Sequence, residues 1–173
     1  MIENWETSFE HVLRSEGGYV NNPADPGGET NLGVTKAAWA EYIGRPVEPG
    51  EMHALTKEVV GPFYKANYWD KCHCDDLPAG LDYAVFDFAV NAGIKRSCKF
   101  LQQAVGVEAD GAIGPGTLAA VQAVDPKEAI AGFSRAKEAF YNGLAEKNPS
   151  QHQFLHGWLT RVTQVEQAAS AMA

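Results

Sequence analysis

The 173 residues, 45% of them hydrophobic and 10% aromatic, suffice for one compact domain with a core, or for a domain and a helical extension. They exclude two unrelated large domains, disorder and low complexity. The net charge of −8 is lopsided: residues 1–92 carry six Lys/Arg against fifteen Asp/Glu, and residues 93–173 carry eight against seven. An acidic first half without a basic patch argues against attachment to a nucleic-acid backbone and suits a neutral sugar polymer.

The opening Met1-Ile2-Glu3-Asn4-Trp5-Glu6 has neither a positive n-region nor an apolar h-region, and Asp87 breaks the longest apolar run. Neither a signal peptide nor a membrane span is predicted, so synthesis in the cytoplasm without stable membrane insertion is the expectation. Three cysteines, Cys72, Cys74 and Cys98, are an odd number and predict free thiols rather than a disulfide framework.

Trp5, Phe9, Val12 and Leu13 fall at i, i+4, i+7 and i+8, the stripe of an amphipathic helix, and Gly17-Gly18 predicts its left-handed stop. Glu16 is placed in the last turn of that helix. Asn21-Asn22-Pro23 and Asp25-Pro26-Gly27-Gly28 predict irregular structure or a small hairpin over residues 17–35. Thr35 reads as the N-cap of a helix over 36–43 closed by Gly44, and Thr56 as the cap of another reaching about Asn67. Residues 81–92 are apolar on almost every side, which predicts a buried central helix stopped by Gly93. Further helices are predicted over 94–105, 115–123, 126–147 and 150–170, with a turn at 108–115. No internal repeat is visible. The charge shift and Gly93 place a boundary near residue 92, with 93–173 a helical region packed against 1–92. The fold class expected is mainly α: a helical bundle around a buried central helix, with a small β-hairpin or loop region carrying the active site.

That loop region holds the chemistry. Glycosidic-bond hydrolysis needs two carboxyl groups in different surroundings, one keeping its proton and one ionised. Glu16, on a helix end, can be desolvated, and Gly17-Gly18 let a polymer approach without a Cβ in the way. Asp25 can orient or deprotonate water, and the Thr30 hydroxyl can hold that water. Taken singly, Glu16 is a helix-end carboxylate facing water, and Asp25 opens a β-turn, since Asp-Pro-Gly-Gly is a turn sequence in its own right. Glu29 reads as a solvated loop charge. Tyr19, Tyr68 and Trp69 offer flat platforms for a sugar ring, with core packing the equal alternative for Trp69. Asn91 offers an amide to an N-acetyl or hydroxyl group, or else caps the central helix.

Three other patterns lead elsewhere. Cys72-His73-Cys74 lacks the paired spacing of a structural zinc site. His152 and His156 have the spacing of a zinc peptidase helix, but Gln153 stands where that chemistry needs a glutamate. Asp110-Gly111 lacks the alternating oxygen ligands of a calcium loop and reads as a turn. No metal or other cofactor is expected.

The run Glu16-Gly17-Gly18-Tyr19, then Asp25-Pro26-Gly27-Gly28, Thr30-Asn31 and Gly33-Val34-Thr35 resembles the glycoside hydrolase 108 muramidases of bacteriophage endolysins and lysozyme-like secretion proteins. The likeness continues through Tyr68-Trp69-Asp70 and Val90-Asn91-Ala92-Gly93. Leu101-Gln102, Asp110-Gly111, Gly114-Pro115, Thr117 and the stretch from Gly157 to Val162 resemble that family's C-terminal peptidoglycan-binding region. The resemblance implies a lysozyme-like catalytic domain over 1–92. The implied activity is cleavage of the β-1,4 bond between N-acetylmuramic acid and N-acetylglucosamine, with Glu16 as general acid, Asp25 and Thr30 beside it, and Tyr19, Asn31, Tyr68, Trp69 and Asn91 toward the glycan. The Glu, Asp, Thr order also looks like that of phage lysozymes of the T4 type. Peptidoglycan glycan strands are then the partner, reached after export through a phage holin or a secretion apparatus. A lytic transglycosylase and a non-catalytic wall-binding or secretion accessory protein are the rival readings.

Overall fold

The structure, a computed structural model, describes residues 2–24 and 27–173. The chain forms two compact units, one of residues 6–67 and one of residues 1–5 with 68–173. Helix α1 (Ile2–Ser15) gives its first residues to the second unit and the remainder to the first.

In the unit of residues 6–67, three short strands β1 (Val20–Asn21), β2 (Glu29–Asn31) and β3 (Val34–Thr35) form an antiparallel sheet in the order β1-β2-β3. Thr30 sits at its centre, opposite Val20 on one side and Thr35 on the other. Helices α2 (Lys36–Ile43) and α3 (Lys57–Tyr64) follow. Their starts are those expected: Thr35 Oγ1 accepts from the Ala38 N–H at 3.2 Å, and Thr56 Oγ1 from the Val59 N–H at 3.4 Å. The core joins Phe9 and Val12 of α1 to Val34, Trp39, Met52, Val60, Phe63 and Tyr64, with the Phe9 and Tyr64 rings 5.4 Å apart. Arg45 grips Glu51 with both terminal nitrogens, closing the loop between α2 and α3.

Two local expectations are corrected here. Neither Gly17 nor Gly18 is left-handed; α1 ends instead when the Glu16 N–H turns back to the Leu13 carbonyl at 3.1 Å, a tighter last turn. The helix predicted to reach Asn67 stops at Tyr64, and residues Lys65–Trp69 form a wider, π-helical turn.

In the other unit, α4 (Leu81–Ala92) is the buried central helix, with Leu81 through Ala89 all withdrawn from solvent. Helices α5 (Ile94–Ala104), α7 (Pro126–Lys147) and α8 (His152–Met172) pack on it, and α6 (Pro115–Gln122) leads into α7. At its start, Gly80 lies so close to the Ala169 carbonyl that any side chain would collide with it. Trp5, Trp69 and Phe86 of α4 form an aromatic cluster with centroids 5.3 to 5.5 Å apart, Trp69 meeting the other two edge-to-face. The three thiols are free and buried, as expected, and contact between Cys72 and Cys98 together with burial pushes the Cys98 thiol up. In the turn after α5, Asp110 accepts from Gln102 and from the Ala112 N–H, so its carboxylate shapes the turn.

Candidate active site

Glu16 follows the last residue of α1 and is half-buried. Its carboxylate lies against the tight turn between β2 and β3. Asn31 pairs with Val34 across that turn, and its two central residues have positive φ, +50° at Leu32 and +76° at Gly33. This is the double left-handed geometry of a two-residue hairpin loop, which suits glycine and strains leucine. The Tyr64 hydroxyl donates to the Leu32 carbonyl at 2.7 Å and steadies the strained residue. A Cβ on Gly33 would stand 2.7 Å from Glu16 Oε2 and would collide with the Tyr64 hydroxyl. The bare backbone of Gly33 is therefore what leaves room for the glutamate.

Gly33→Ala meets both obstacles. It is expected to destabilise the protein by about 1–3 kcal/mol through backbone strain and crowding. By moving the carboxylate, it should also lower any hydrolytic rate by about tenfold or more. Thermal unfolding followed by circular dichroism, beside an activity assay, reads both; parental values in both would show that the carboxylate does not depend on this turn.

The other expected site residues divide. Thr30 is half-buried in the middle strand of the same unit. Asp25 lies outside the described residues. Tyr19 is 37% exposed, with its ring edge-to-face against His53 at 4.8 Å and its hydroxyl donating to Glu29 Oε1 at 2.8 Å. Asn31 is buried, and its amide nitrogen donates to the Met52 carbonyl at 2.8 Å, tying the hairpin to the loop before α3. That amide group serves the fold. Tyr68, Trp69 and Asn91 belong to the other unit. Trp69 has no exposed surface and its indole N–H donates to Asp75 at 2.9 Å, so of its two readings the structure selects core packing. Asn91 donates to the Tyr141 hydroxyl at 2.6 Å from an exposed position on α4.

Glu29 corrects the expectation of a solvated charge. It lies in β2 and accepts from both Tyr19 and the Lys36 ammonium, the latter at 2.8 Å. Hydrogen bonding from Lys36, with Tyr19 behind it, holds its carboxyl below the usual carboxylate range and keeps it ionised. The signal for this pair was present: with a turn at Leu32-Gly33, residues 29 and 36 fall opposite one another, and opposite charges there attract. Tyr64, the other group missed, carried no local cue, because its partner lies 32 residues away in the sequence.

A mainly helical chain with a glutamate at the end of its first helix and a small antiparallel sheet beside it has the architecture of the lysozyme-like fold class. The family model described as glycosyl hydrolase 108 matches residues 9–93, and the one described as a predicted peptidoglycan domain matches residues 96–163. The two matches part between 93 and 96, whereas the compact units part between Asn67 and Tyr68. A solved structure of SagA from Brucella abortus is similar at 41% sequence identity and a TM-score of 0.84, over 99% of this chain and 97% of that one. No curated protein matches the sequence. The chain belongs to the glycosyl hydrolase 108 family. No helix among the described residues is long and apolar enough to cross a membrane.

Proposed function

We propose that this protein is a muramidase that hydrolyses the β-1,4 bond between N-acetylmuramic acid and N-acetylglucosamine in peptidoglycan. Glu16 protonates the glycosidic oxygen as its bond to the sugar carbon breaks. Water adds to that carbon, and its proton is taken up by a carboxylate, the role given to Asp25 with Thr30 holding the water. The observation that carries this reading is the seat of Glu16: a carboxylate beyond a rigid helix end, half-buried, over a turn whose glycine leaves space for it. Tyr19, exposed beside His53, offers an aromatic face to the glycan on the same unit.

Digestion of purified sacculi followed by mass spectrometry of the soluble muropeptides tests the reaction. Hydrolysis yields fragments with free reducing ends. Fragments lighter by one water, with anhydro-muramyl termini, would instead mark a transglycosylase. Sacculi that bind the protein and release nothing would reduce it to a wall-binding protein.

A further inference from the structure

The start of α5 borders a cavity of about 480 Å³ lined by residues 92–96 with Lys99 and Phe100. Three of these are cations, and α5 carries no acidic residue. Among the described residues, none of Lys95, Arg96 and Lys99 forms an ion pair with a carboxylate. Asp110, in the turn beyond, accepts from Gln102 and from the Ala112 N–H, and Lys99 acts on it only through its charge, without an ion pair.

The wall of the cavity is firmly built. Arg96 lies over the Phe140 ring at 4.4 Å and donates to the Ala92 carbonyl, while Phe100 stacks on buried Phe88 at 5.3 Å. The stems of Lys95 and Lys99 run against Gly111, where a Cβ would lie 2.8 Å from one and 3.4 Å from the other. Packed stems leave the ammonium groups free to meet a ligand at reduced entropic loss. Three clustered cations, none in an ion pair with a carboxylate among the described residues, with an apolar floor and in a chain of net charge −8, favour a small polyanion with aliphatic segments.

We infer that this cavity binds the carboxylates of the peptidoglycan stem peptide, which carries an acidic D-glutamyl residue and a second free carboxylate on its diamino acid or C-terminus. The inference rests on the wall being the substrate, and it deepens that reading by assigning the peptide, not the sugar, to α5. The match to a predicted peptidoglycan domain begins at Arg96 and takes in Lys99 and Phe100 of this lining.

Isothermal titration of the full chain with the free tripeptide L-Ala-γ-D-Glu-diaminopimelate tests it without any hydrolysis. The parent should bind, and Lys95→Gln with Lys99→Gln, which keeps the packed stems, should weaken binding by about tenfold or more. No binding by the parent, equal binding by the Lys95→Gln, Lys99→Gln variant, or inorganic phosphate binding as tightly as the tripeptide would each overturn the inference. Release of reducing ends from peptide-stripped glycan strands should be the same for parent and variant. Its absence from the parent would count against the muramidase reading and leave the tripeptide result standing.

Discussion

Glu16→Gln is expected to lower the release of reducing ends from sacculi by about 100- to 10,000-fold, the range that a positioned general acid contributes. Glutamine matches glutamate in shape and cannot give up a proton in its place. The backbone N–H of residue 16, which closes α1 against Leu13, is untouched by the change, so unfolding should shift by only about 1 kcal/mol. Glu16→Asp makes a complementary test. It keeps the acid and withdraws it by one methylene, and a displacement of that order at a reacting centre costs about 100-fold. Parental turnover by Glu16→Gln, with a parental unfolding curve, would remove Glu16 from the mechanism.

The second large effect concerns stability and lies in the other unit. Asp87 on α4 is 2% exposed; Arg161 of α8 donates to it at 2.8 Å, and the Lys137 ammonium of α7 stands 3.9 Å from its other oxygen. Burial pulls Lys137 down to about 8, with the Asp87 charge acting the opposite way. Asp87→Asn keeps the shape and removes the anion between two cations, and is expected to cost about 3–5 kcal/mol near neutral pH. That is a large part of a stability of about 5–15 kcal/mol.

The sign of the pH dependence follows from the lowered lysine. A lysine whose folded value lies below its unfolded one opposes folding fully below about 8, and that opposition fades as pH rises toward the unfolded value of about 10.5. Without Asp87 the ammonium gives up its proton more readily still. The difference between parent and Asp87→Asn should therefore shrink between about pH 6.5 and about pH 9.5, the residue of it belonging to Arg161, which stays charged. Burial pushes Tyr83 and Tyr141 up, so they keep their protons across this window in both proteins. Urea unfolding at the two pH values is the measurement, and a variant as stable as the parent at both would show that the buried charges are compensated elsewhere. Lys137→Met, which removes one buried cation and leaves the Asp87–Arg161 pair, should be neutral or stabilising.

Elements with local causes were legible in the amino-acid sequence. Helix α2 runs over the predicted 36–43 because a capping threonine and a left-handed Gly44 lie at its ends. Helix α4 was readable from its all-round apolarity, and α7 from 126 to 147 because Asp125 and Pro126 make a strong start. What escaped depended on partners distant in the chain. Leu32 is a poor residue for a double left-handed turn, and it is held there by Tyr64; no turn propensity signals this. Asn31 reads as a free polar group until the carbonyls of residues 52–55 are brought beneath it. Trp69 reads equally as platform or core, and the choice is made by Trp5 and Phe86. In the site itself, the glutamate and the sheet were foreseen from motif and turn residues, and the Glu29–Lys36 pair was recoverable from register once the turn was located.

Leu32 also indicates where this protein has room to be improved. Its left-handed backbone is a standing loss of about 1–2 kcal/mol at the position next to Gly33, where the Glu16 carboxylate packs. Asparagine or glycine would relax that loss and leave the Leu32 carbonyl, which is backbone, to Tyr64 as before. For an engineer seeking a heat-tolerant variant, the first position to change is thus one residue from a glycine that leaves no room for a side chain, and the two adjacent sites call for opposite treatment.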